Sequence, residues 1–233
     1  MTQNQEMKMQ LLKEFAINDE PKTVDFCREA FKFLTEDENR GIPKAPISFA
    51  EPRHAKSENN GIYLIYEDNS YAFYTKDSDT NNVKYIGINH DGHAFAVALK
   101  DLGRFQLLKD DVECPEKSDF YVRRECDALN DWECIERTKH IQELGTDIPL
   151  KDGEYIPALP MVAAMCYWAE RGLNEALEAV GGEPLDMDSG YWSVTEFYSI
   201  YAWGVHFLNG FVGNGSYYKA SSLVVRPVVV FNL

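Results

Sequence analysis

From Tyr191 to Leu233 the chain carries only three charged side chains, Glu196, Lys219 and Arg226, among eleven aromatic ones. A segment so poor in charge and so rich in rings has to bury most of itself. Within it, Ala202–Leu208 alternates: Trp203, Val205 and Phe207 are bulky and apolar, whereas Gly204, His206 and Leu208 share no chemistry. A strand sends successive side chains to opposite faces, so one face is specified for a core and the other is not. Asn209-Gly210 follows as a hairpin turn. The segment's net charge is +1, so residues 1–190 hold −16 against −15 for the 233-residue chain.

That acidity excludes whole classes of partner. Binding to nucleic acid or to an anionic membrane draws on clustered Lys and Arg, and a pI near 4.7 argues against both. No apolar run approaches the roughly 20 residues that span a bilayer. The start, MTQNQEMKMQLLKEF, is too polar for a signal peptide, so the expectation is a chain made in the cytoplasm, with virion or surface association left open. Five scattered cysteines (Cys27, Cys114, Cys126, Cys134, Cys166) form no CxxC pair and read as reduced thiols.

The order of elements reads strands, helices, strands. Residues 1–60 form an appendage: Val24, Cys27, Phe31 and Leu34 lie at helical spacing behind Thr23, and Pro43, Pro46 and Pro52 mark a connector. Gly61–Tyr66 and Tyr71–Tyr74 read as one hairpin, Lys84–Ile88 and His93–Leu99 as a second. Helices are expected over Asp131–Leu144, capped by Asn130 or Asp131 and ended by Gly145, then over Pro160–Ala169 and Leu173–Val180. They break near Gly172 and stop at Gly181-Gly182. The class is α+β with a mainly antiparallel sheet.

Catalytic and metal motifs are not found. His90-Asp91-Gly92-His93 matches no zinc spacing and reads as a turn; His140 reads as a surface residue of its helix. There is no Walker loop, no GxGxxG after a strand and no GxSxG elbow. The expectation is a protein without enzyme activity, cofactor or metal.

Tyr191-Trp192-Ser193-Val194-Thr195-Glu196-Phe197, then Ala202-Trp203, Val205, Phe207, Gly210, Val212, Lys219 and Val225-Arg226-Pro227-Val228, resemble a "YWSSTEY…AW.V.F..G.V….K…VRPV" ending. It is the ending of a bacterial and phage family with the C-type-lectin-like fold, shared with formylglycine-generating enzymes. Gly153–Leu159 and Asn174–Leu177 with Gly181-Gly182 resemble two further family segments. The resemblance is specific over 153–233, weaker from 61, and leaves out 1–60. It implies a ligand-binding domain over 61–233.

Several members of that family are variable proteins of diversity-generating retroelements, in which adenine-directed mutagenesis rewrites the C-terminal coding end. By this resemblance the positions that vary are Tyr198, Ile200, Tyr201, Gly204, His206, Leu208 and Phe211, then Gly213, Gly215, Tyr217, Tyr218, Ala220 and Leu223. All are residue types that NNC or NNT codons encode, whereas Trp203, Lys219 and Glu196 are not. Trp192, Glu196, Trp203, Phe207 and Arg226 are assigned to the scaffold, with Arg226 expected to pair with Glu196. The implied partner is a protein or glycan of unknown identity, and an oligomer is left open. The alternative is an undiversified structural or adhesion module of this fold, as in a phage tail or surface subunit. A formylglycine-generating enzyme ranks below both, because no cysteine follows Cys166; nor are the EPN, QPD or WND motifs of calcium-dependent lectins present.

Overall fold

The computed structural model describes residues 60–231, so the helix and connector expected within 1–59 lie outside the described residues. Both expected hairpins are present. β1 (Gly61–Tyr66) pairs with β2 (Tyr71–Phe73), and β3 (Val83–His90) pairs with β4 (His93–Ala98). Asp91 (φ 50°) and Gly92 (φ 82°) close the second hairpin with two consecutive left-handed residues, the conformation a two-residue turn needs to match strand twist. The His-Asp-Gly-His stretch is therefore a turn.

Among the described residues, ten strands form two sheets. The first runs β10–β4–β3–β1–β2 and the second β5–β9–β6–β7–β8. Here β5 is Gly103–Gln106, β6 Gly190–Tyr198, β7 Tyr201–His206, β8 Phe211–Tyr218, β9 Ser222–Val225 and β10 Val228–Val230. All pairings are antiparallel except β6 with β9, which meet in parallel at Tyr191 and Val224. The strand β10 returns to the first sheet, so it is tied to a strand more than 130 positions earlier, through Val228 opposite Val97.

The helices lie between these strands in sequence: α1 (Glu125–Ala128), α2 (Ile135–Leu144), α3 (Leu159–Trp168) and α4 (Asn174–Ala179). On α3, Leu159, Pro160, Met161, Val162, Ala164 and Met165 are all buried, as befits a helix apolar around most of its circumference. It packs on β6 and β7 of the second sheet and on β3 of the first, closing one continuous core. Gly172, at φ 120°, breaks it from α4 through a wide turn over Ala169–Leu173. α2 begins four residues later than expected. Glu133 Oε1 accepts from the Ile135 and Glu136 amides, while Asp131 pairs with Arg137 at 2.5 Å and Trp132 stacks on His93. A local cap from Glu133, the Asp131–Arg137 pair and the distant His93 ring thus hold Asp131–Cys134 out of the helix. Among the described residues no helix is long and apolar enough to cross a membrane.

Candidate ligand-binding face

The alternation in β7 is realised on its bulky side: Trp203, Val205 and Phe207 are buried. The Trp203 indole donates to the Val122 carbonyl at 2.8 Å and meets Phe197 edge-on, and Tyr191 stacks on Phe207 with centroids 4.3 Å apart. Trp192, on the other face of β6, is buried as well and donates to the Phe105 carbonyl at 2.8 Å. Every buried indole N–H thus has a main-chain acceptor, which removes the cost of hiding a donor.

Glu196, almost fully buried, is the polar centre beneath the β6–β7 turn. Lys219 forms a buried ion pair with it and donates to the Ser199 carbonyl at 2.8 Å. The Lys219 ammonium also lies 5.5 Å from the Tyr121 ring centroid. Burial, with the Glu196 charge adding to it, pushes the Tyr121 phenol up to about 12. His140 is not a surface residue. Its ring stacks on Phe120 at 4.1 Å and its Nε2 lies 3.4 Å from Glu196 Oε2, because α2 lays one face against β6.

The expected Arg226–Glu196 pair does not form. Arg226, fully buried, binds Asp101 at 2.5 Å and donates to the carbonyls of Ala98 and Glu183 at 2.9 and 3.0 Å. Asp101 also accepts from the Tyr191 hydroxyl, whose ionisation is pushed well up by burial. Glu196 is the only acid of its own segment, but Asp101, far off in sequence, is the acid that the β9–β10 junction meets.

The thirteen positions implied to vary separate by environment. Leu208 (68% exposed), Ile200 (44%) and Tyr218 (39%) stand out from the surface. Tyr198, Tyr201, His206, Tyr217 and Ala220 are half-buried, and Phe211, Gly213 and Gly215 lie along β8. Two positions are not on an open face. Leu223 is 5% exposed, with its side chain against Gly190. Gly204 is covered by Tyr217: a Cβ there would lie 2.9 Å from the Tyr191 carbonyl oxygen and 3.0 Å from the Tyr217 ring. The Tyr217 ring shields this glycine and meets Trp192 edge-on, and its burial raises the phenol's pKa. Alternation alone marks Gly204 as outward; the ring that covers it comes from β8.

Two groups of positions remain, at opposite ends of β7 and roughly 17 Å apart at a strand's rise per residue. One surrounds the tight Tyr198–Tyr201 turn, where the rings of Tyr201 and Tyr218 meet at 5.8 Å. The other holds His206, Leu208 and Phe211, with Phe211 opposite His206. The first group gains two residues that sequence reasoning missed. The Tyr121 ring lies 5.7 Å from that of Tyr198, and the Arg123 guanidinium lies 4.8 Å over the same ring. Their loop is held by the Val122 amide donating to the Glu196 carbonyl. No periodicity or motif marks this loop; only the fold brings it there.

Among the described residues no group of three or more His, Cys, Asp or Glu is arranged to hold a metal ion. Cys134 is buried and its thiol is pushed up to about 12, whereas Cys126 is exposed.

No family model and no curated protein matches the chain. Among solved structures, a fimbrial protein from Bacteroides ovatus ATCC 8483 is similar over 74% of this chain, with 16% identity and a TM-score of 0.48. The match spans 48% of that protein, so the chain corresponds to about half of its length.

Proposed function

We propose that residues 61–233 form a non-enzymatic binding module of C-type-lectin-like fold whose C-terminal segment presents a diversified ligand-binding face, as in variable proteins of diversity-generating retroelements. One observation carries this reading. None of the described side chains at the thirteen positions makes a hydrogen bond or an ion pair, while the polar scaffold side chains interspersed with them are bonded. Lys219 reaches Glu196 and Ser199, Trp203 reaches Val122, and Arg226 reaches Asp101, Ala98 and Glu183. Six of these partners are carbonyls or carboxylates outside the variable set, so exchange at an exposed position breaks no polar bond of the scaffold.

The face consists of tyrosines and aliphatic side chains around two β-turns, joined by Arg123. Such surfaces suit protein or glycan recognition, since tyrosine offers large contact area at low entropic cost. The test is to sequence the 3′ end of the gene and the region downstream in sibling isolates. A near-copy differing where it holds adenines, with variation at Ile200, Leu208 and Tyr218 and constancy at Trp203 and Lys219, is the expected result. An invariant end without a repeat refutes diversification and leaves a fixed adhesion module of the same fold.

A further inference from the structure

A second place with the makings of a site lies away from the C-terminal face and does not depend on its reading. The β3–β4 turn, the loop between α1 and α2, and the first turns of α3 line an open cavity of about 260 Å³. Its floor is Pro160, Ala163 and Ala164 of α3, small enough to leave space. Its wall is Trp132, packed parallel to His93 with ring centroids 4.1 Å apart. His90, Asp91, Leu129 and Asn130 complete the lining.

The polar groups here have fixed roles. The Trp168 indole donates to His90 Nδ1 at 3.2 Å, so the neutral imidazole carries its proton on Nε2, as a donor. The Asn130 amide donates to the Cys126 carbonyl, which leaves its carbonyl oxygen as an acceptor. Asp91 Oδ1 accepts from Asn60, which leaves Oδ2 as a second acceptor. The His90 Nε2–H and the Asn130 amide proton not given to Cys126 therefore sit beside two acceptors, the Asn130 carbonyl oxygen and Asp91 Oδ2, over an apolar floor. A hydroxyl both donates and accepts and can serve every one of them; an ammonium ion cannot serve His90, and a phosphate or carboxylate would meet Asp91. The space equals on the order of nine waters at liquid density, less than a drug-sized ligand needs and enough for one six-membered ring.

We propose that this cavity binds a small neutral polyol of single-ring size, a hexose or a cyclitol, with one face on the alanine floor and its hydroxyls on His90, Asp91 and Asn130. The experiment titrates the full chain with glucose, galactose, mannose, fucose and myo-inositol, reading the indole N–H resonances of Trp132 and Trp168 by NMR. Saturable shifts of both resonances by at least one of these are expected. Ala163→Leu fills the floor and leaves every polar group in place; it weakens that binding by about tenfold or more, a loss of about 1.4 kcal/mol. Asp91→Asn keeps a residue that accepts the left-handed turn, so it folds, and it weakens binding as well. The proposal is overturned if none of the five polyols saturates, if both variants bind as the parent does, or if tetramethylammonium shifts the same resonances more strongly.

Discussion

Lys219→Met tests how the binding face is held from beneath. The Lys219 and Glu196 side chains are 4% and 1% exposed, and the ammonium has two oxygen partners, the Glu196 carboxylate and the Ser199 carbonyl. Methionine keeps the length of the stem and deletes the charge. Glu196 would then be a buried carboxylate with no cation paired to it, and the nearby His140 Nε2 makes no hydrogen bond with it at 3.4 Å. Breaking one half of a buried pair costs about 3–5 kcal/mol, most of it from the uncompensated charge. For a domain of this size that lowers Tm by roughly 6–20 °C. Adding Glu196→Gln removes the stranded charge, so the double variant is expected to recover much of the loss. Urea and thermal melts followed by circular dichroism measure both. A Lys219→Met variant within about 0.5 kcal/mol of the parent, or a double variant whose loss is the sum of the two single losses, would refute the argument.

Three further outcomes follow from the packing. Gly204→Ala is expected to destabilise by about 1–3 kcal/mol, since its Cβ meets the Tyr191 carbonyl and the Tyr217 ring, and thermal melts read the shift. Leu223→Ala should cost about 2–5 kcal/mol and Tyr218→Ala no more than about 0.5 kcal/mol, although both positions belong to the set implied to vary; parallel urea melts compare them. In the native protein at mildly alkaline pH, iodoacetamide should label Cys126 and spare Cys134. The Cys134 thiol, raised to about 12 by burial, stays protonated until pH approaches that value or the chain unfolds, and peptide mass spectrometry locates the label.

Local pattern made the strands and turns around the site legible. Asp91-Gly92 and Asn209-Gly210 placed the β3–β4 and β7–β8 turns, and alternation placed Trp203, Val205 and Phe207 inward, because backbone geometry imposes a period of two without reference to anything distant. The short β5 has no local signature, since Gly103–Gln106 carries no alternation and becomes a strand only by pairing with β9.

The sequence by itself determined the α+β order, the position of the aromatic C-terminal strands, and the residues that build their buried side. Those follow from short-range periodicity and from the scarcity of charge after Tyr191. Only the tertiary structure decided the polar partners. Arg226 met Asp101 and left Glu196 to Lys219, His140 turned inward, Tyr217 closed over Gly204, and Tyr121 and Arg123 joined the face from a separate loop. The physical reason is range. A strand's two faces are written in adjacent residues, whereas the partner of a buried charge is set by whichever distant segment the packed sheets bring within about 4 Å, and no local pattern encodes that.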